Sequence, residues 1–133
     1  MIVTALTLLF AAQAAALGED YPPCDQEKAD QGIQSAMNIC AYNDYRKADA
    51  DLNATWKKAA ANAKAIDADA DTSQFAELLA SQRAWLAYRD AQCELETNRY
   101  LGGSIMPLVR ANCLESMTEK RTAELNKYLE FPN

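Results

Sequence analysis

The sequence predicts an all-α domain, three helices in an antiparallel arrangement with a long first helix, stapled by two disulfides. Three observations predict it. Strand formers are scarce: beyond residue 16 one valine and four isoleucines stand against twenty alanines and many Leu, Glu, Gln, Lys and Arg residues. Apolar and small residues recur at steps of three or four over long stretches, the spacing of one helix face. There are four cysteines and no Cys-x-x-Cys pair, which in a small exported domain reads as two disulfides rather than a zinc site.

Export is expected from the first sixteen residues, MIVTALTLLFAAQAAA. They carry no charged side chain and hold an apolar run from Ile2 to Ala12 followed by small residues, the layout of a cleaved signal peptide ending at Ala14 or Ala16. The run is shorter than the ~18 residues a spanning helix needs, so no stable membrane insertion is expected after cleavage. The first cysteine follows Tyr21-Pro22-Pro23, which is no lipobox. The expected layout is a signal peptide over 1–16, an extended N-terminal segment over 17–32 and a helical domain over 33–131, located in the periplasm or secreted.

Each helix follows from its pattern. From Ile33 to Ile66 the stripe Met37, Cys40, Tyr45, Ala48, Leu52, Trp56, Ala59 and Ala63 predicts a first helix on the order of 50 Å long. The acidic stretch Asp67–Asp71 ends it, and Asp71 with Gln74 has the spacing of a capping box opening the second. Phe75, Leu78, Leu79, Gln82, Trp85, Leu86, Arg89 and Cys93 make the second stripe. After Gly102-Gly103, Ser104 is placed to cap a third helix whose first turn tolerates Pro107, with Val109, Cys113, Met117, Arg121, Leu125 and Tyr128 as its stripe.

Short connections set residues equally distant from a turn opposite one another. About a turn centred near residue 69, Leu52 faces Leu86, Trp56 faces Gln82, and Asp49 faces Arg89 as a bidentate ion-pair partner. About a turn centred near residue 103, Cys93 faces Cys113. Cys24 is then left for Cys40, so the chain between Cys24 and Gly32 has to fold back on the first helix, because bridged Cα atoms sit at roughly 4.4 to 6.8 Å. The pairings 24–93 with 40–113 and 24–113 with 40–93 remain open at this level.

Composition also bounds function. The 13 basic and 19 acidic residues give a net charge of −6, which argues against a nucleic-acid partner. The chain has no histidine, which removes the usual general base and the histidine-dependent nucleophile systems, so a binding protein is expected rather than an enzyme, with no catalytic residue and no cofactor. Asp67, Asp69 and Asp71 have the odd-position spacing of a calcium loop, but Thr72 stands where that loop needs glycine and Leu78 where it needs glutamate, so no metal is expected. Contact with a partner is expected from Trp85 and Tyr88 and from the loop residues Tyr100, Gly102, Gly103 and Ser104. The two glycines permit close backbone approach, and a loop stapled at its base loses less entropy on docking.

The ordered set Cys40, Tyr45, Ala48-Asp49, Leu52-Asn53, Gln82-Arg83-Ala84-Trp85, Arg89-Asp90, Cys93, Gly102-Gly103-Ser104, Pro107, Cys113, Thr118 and Arg121 resembles the LprI-type family of small secreted bacterial proteins. The similarity spans about residues 24 to 129, with Trp56 where tyrosine is expected. The resemblance implies a helical envelope domain and lysozyme inhibition as an activity of the family, and it carries over no inhibitory residue set. Lysozyme or another basic envelope protein is the implied partner, to which a −6 domain is attracted, and Arg99, Tyr100, Ser104 and Arg110 are then the expected donors to the two carboxylates of a lysozyme cleft. A structural or adaptor module of the envelope, and a small-molecule binder between the first two helices, are the other readings; acidic side chains clustered on the face of the Gly-Gly loop would favour a basic partner, and scattered ones the structural module.

Overall fold

The computed structural model describes residues 21–131. Among them it has four α-helices and no strand: α1 over Gln26–Asp30, α2 over Gln34–Asp69, α3 over Gln74–Asn98 and α4 over Met106–Glu130. Both disulfides are Cys24–Cys40 and Cys93–Cys113, which closes the alternatives the spacing left open. The expected helix count is corrected from three to four, because α1 lies in the stretch read as extended. The expected signal peptide, residues 1–16, lies outside the described residues.

Local chemistry accounts for α1. The Asp25 carboxylate accepts a hydrogen bond from the Lys28 N–H at 3.1 Å and pairs with its ammonium at 3.1 Å. At the other end Gly32 takes φ +78°, the Gly32 N–H donates to the Ala29 carbonyl and the Ile33 N–H to the Lys28 carbonyl. That pair of bonds around a left-handed glycine is a Schellman termination, and it turns the chain back on itself. The reversal brings Cys24 to a Cα separation of 4.5 Å from Cys40.

The 36 residues of α2 span about 54 Å. Its buried line is mostly small: Ala36, Cys40, Ala41, Ala48, Leu52, Thr55, Ala59 and Ala63. Small side chains let a neighbouring helix approach closely, and α2 packs most extensively against α4 rather than α3. The expected Leu52–Leu86 facing pair is therefore not formed as such. Leu86 is exposed, and Leu52 instead shares a core cluster with Ala59, Ala63, Leu78 and Leu125, flanked by Trp56, Phe75, Trp85 and Tyr128. A second cluster surrounds the Cys93–Cys113 bridge, where Leu114 is buried and Tyr45 and Met117 pack alongside.

The turn between α2 and α3 is organised by Asp67, not by the expected Asp71–Gln74 box. The Asp67 carboxylate accepts from the Thr72 hydroxyl at 2.5 Å, the Gln74 N–H at 2.8 Å and the Phe75 N–H at 3.0 Å. It therefore serves as the cap of α3 from the last turn of the preceding helix, satisfying donors that the helix start leaves free. Those bonds, the Thr72 hydroxyl first, hold the Asp67 carboxyl below its ordinary value. A depressed carboxylate pKa gives stability that is complete above the unfolded value near 4 and is lost as pH falls through the folded value. Replacing Asp67 with alanine should accordingly lower the melting temperature at pH 7, and the gap to the parent should narrow as the pH falls below the ordinary carboxylate value near 4. Scanning calorimetry against pH checks it, and a gap independent of pH would contradict this cap.

Candidate functional site

The second half of α3 and the first half of α4 carry most of the residues singled out in the sequence. They separate into a buried network that holds the helices and an exposed loop beyond it.

Arg89 is at the centre of the network and is only 7% exposed. Its Nε and Nη2 donate to Asp90 at 3.0 and 2.9 Å, its Nη1 donates to the Thr118 hydroxyl at 3.3 Å, and Asp49 lies 3.8 Å away. The expected bidentate pair with Asp49 is thus corrected to a longer contact, because the fork of the guanidinium is taken by Asp90 on its own helix and Thr118 on α4. The guanidinium lies 5.2 Å from the Trp85 ring and 5.8 Å from the Tyr45 ring. Arg121 approaches the same indole at 5.9 Å while donating to Gln82 at 2.9 Å, Ser81 at 2.8 Å and Glu124 at 2.9 Å. Burial raises the Tyr45 hydroxyl above its ordinary pKa, with the Arg89 charge opposing. Tyr45, Asp49, Gln82, Trp85, Arg89, Asp90, Thr118 and Arg121 therefore join one network. Arg121 and Thr118 were visible as stripe or resemblance residues but had no assigned role, since a hydrogen bond across 29 or 39 residues leaves no local signal.

The loop from Arg99 to Ile105 follows. The Cys93–Cys113 bridge closes its base, with Cα atoms 5.5 Å apart. Thr97, fully buried, donates its hydroxyl to the Cys93 carbonyl, and the backbone bonds Tyr100 N–H to Thr97 carbonyl and Gly103 N–H to Tyr100 carbonyl tighten the turn. Ser104 does not cap α4 with its side chain; its carbonyl accepts from the Asn38 amide of α2 at 3.0 Å, a tether the sequence did not show. Arg110 is paired with Glu94. Arg99 is exposed, and no described residue pairs with it. Tyr100, Ile105 and Leu101 are exposed, Leu101 to 73%. A loop tied at its base and across its turn thus presents one free guanidinium and three apolar side chains.

Gly102 takes φ +82° with open space where a Cβ would lie, so its glycine requirement is conformational. Substituting Gly102→Ala should cost about 1 kcal/mol, seen as a parallel shift of the urea unfolding curve. No measurable shift would mean that the turn relaxes.

Trp85 and Tyr88 line a groove of about 320 Å³ between α3 and α4 with Gln92, Glu96, Met117 and Lys120. It is open to solvent and lies on a different helix pair from the one expected to hold a small molecule. Carboxylates do not gather around the loop. Asp44, Glu115 and Glu119 meet on the α2 and α4 face, where burial first, then Glu119 and Asp44, raise the Glu115 carboxyl against the opposing Lys47 charge. No group of three or more acidic or cysteine residues suited to a metal ion occurs among the described residues. No helix among them is long and apolar enough to cross a membrane.

The model of the family described as lysozyme inhibitor LprI matches residues 24–125. An uncharacterized protein of Rhizobium meliloti (strain 1021) is 42% identical over 132 residues, covering 95% of this chain and 93% of the relative. No solved structure matches.

Proposed function

The chain belongs to the lysozyme inhibitor LprI family, and on that premise we propose that it is an exported protein of the bacterial envelope that inhibits a lysozyme by binding, without catalysis. The observation that carries the reading is the Arg99–Ile105 loop, exposed and apolar yet fixed at its base by the Cys93–Cys113 bridge. A lysozyme cleft works through two carboxylates in a groove shaped for a sugar chain. Arg99 supplies a free donor for such carboxylates, with Ser104 beside it, and Tyr100 and Leu101 supply apolar contact. Gly102 and Gly103 allow the partner's backbone to come close, and Arg110, held by Glu94, supports the loop from α4. Trp85 and Tyr88 stand on the neighbouring groove and act at its margin.

The −6 charge acts at a distance. Steering does not require the acidic residues to touch the partner, so the Asp44, Glu115 and Glu119 face draws a basic enzyme while the loop makes contact. The same reading takes consecutive long helices as antiparallel neighbours, supported by the pairs Arg89–Asp49, Cys93–Cys113 and Arg121–Gln82. Export to the periplasm or medium is supported by the composition of residues 1–16 and by disulfides in place of free thiols.

The test adds the purified, oxidised protein to lysozymes of several types and follows lysis of cell walls at low and moderate salt. Inhibition of at least one type is expected, weaker at higher salt, and weakened at least tenfold by Arg99→Glu or Leu101→Asp. Unslowed lysis by every type at micromolar excess sinks the proposal, and full potency in both variants moves the contact away from this loop.

A further inference from the structure

The outer face of α3 carries a stripe that nothing in the described chain covers. Ala80, Ala84, Ala87, Tyr88, Ala91 and Leu95 are all exposed, Tyr88 and Leu95 to 60% each. They follow one another at the steps of a single helix face, opposite to the buried line Leu78, Arg89, Cys93 and Thr97. α3 packs only on α2 and α4, both on that inner side. Two large apolar side chains left 60% exposed among four exposed alanines on one helix face make a surface that a partner can cover.

Charge selects the occupant. Arg83 and Glu94 flank the stripe on the same side, eleven residues apart. Arg83 is exposed and pairs with no described residue, while Glu94 is exposed and holds only Arg110. In an antiparallel pair of identical helices the same flank of each meets the same flank of the other. A twofold axis close to Tyr88 then sets Arg83 against Glu94 of the second copy, and the reciprocal pair forms by symmetry. That register also sets Ala84 against Leu95 of the second copy and Ala87 against Ala91 of the second copy, small beside large and small beside small, as close helix packing requires.

We propose that the protein forms a homodimer through the outer face of α3, the two helices antiparallel about an axis beside Tyr88, with Arg83–Glu94 pairs on the flank. The two Gly-Gly loops then point away from the axis at opposite ends, roughly 30 Å or more apart at 1.5 Å of helix per residue. Neither loop is covered, but Tyr88 and Glu94 also border the proposed lysozyme contact, so the dimer is judged by its state of association alone and not by inhibition. A single helix face is small for a permanent interface, so the association is reversible and depends on concentration.

Sedimentation velocity on the purified, exported protein from about 1 to 500 µM tests it. A shift from monomer to dimer across that range is expected. Tyr88→Glu and Ala91→Glu should each leave monomer at every concentration, with an unchanged far-UV circular dichroism spectrum because both sites face water. Arg83→Glu should weaken dimerisation about tenfold by setting like charges together twice, and Arg83→Glu combined with Glu94→Arg should recover most of that loss. Monomer throughout the range for the parent protein overturns the proposal. So does a dimer that survives Tyr88→Glu and Ala91→Glu, which assigns the contact to another face. A dimer that those variants abolish but that the charge exchange fails to rescue overturns the antiparallel register.

Discussion

Replacing Cys93 and Cys113 together with alanine should lower the melting temperature by about 10 °C and weaken inhibition further than that loss of stability explains. The thermal part follows from chain statistics. The bridge closes a segment of 20 residues, and removing that constraint from the unfolded ensemble costs about 3 kcal/mol, at about 4 °C per kcal/mol for a domain of this size. Native packing adds to it, since Cys93 is fully buried and Leu114, Tyr45 and Met117 pack around the bridge.

The functional part follows from position. The bond lies between the helix network and the Arg99–Ile105 loop, so its loss leaves the loop held by its own turn bonds and the Asn38–Ser104 tether. A loosened loop pays more entropy on docking and binds more weakly. The control is the pair Cys24→Ala with Cys40→Ala. That bridge closes 16 residues, so the chain-entropy effect is again about 3 kcal/mol, but it ties down only α1, a helix with no buried residue. Its loss should leave inhibition close to that of the parent at a temperature where both stay folded. Calorimetry and lysis assays on both pairs decide the matter, and equal loss of inhibition in the two would remove the loop from the mechanism.

The long helices were legible because their signals are local and repeated. The Cys40-to-Ala63 line and the Cys93, Cys113 and Leu125 positions fall where steps of three and four put them, and the cysteine bridge follows from symmetry about a short turn. Apart from Asp49 beside Arg89, contacts made by a single residue across the fold were not legible. Asp67 displaced the expected Asp71 box because a carboxylate reaching back from the previous helix satisfies two N–H groups and a hydroxyl at once. Leu86 appeared inward on a stripe averaged over α3, but the close packing of α2 on α4 leaves it at the rim. The short α1 escaped because five residues hold too little periodicity, although Asp25 and Gly32 marked both of its ends. The loop was singled out from its glycines and the bridge expected at its base, whereas its apolar character at Leu101 and Ile105 depends on exposure that no sequence pattern specifies.

Much of the resemblance to the family rests on residues that bind one another, and Arg89 tests whether that network is structural. Arg89→Ala should destabilise the fold by about 3 kcal/mol, whereas Arg89→Met should cost about 1 kcal/mol. The reasoning turns on which partners lose most. Asp49 and Asp90 have side chains 40% and 56% exposed, so water takes over their solvation once the guanidinium is gone. Trp85 and Tyr45 lose a stacked group, and alanine leaves a void between them that methionine largely fills. Thr118 is fully buried and loses the Nη1 donor in either variant, which accounts for the residual cost in Arg89→Met. Adding Thr118→Val to Arg89→Met should therefore recover most of that residue, and a double-mutant cycle in urea should show coupling between positions 89 and 118 of about 1 kcal/mol. If methionine costs as much as alanine, the charge itself rather than its packing holds the helices. If neither substitution costs stability yet both abolish inhibition, Arg89 belongs to the binding machinery, and the network would have to be read as a site for the partner rather than as the frame behind the loop.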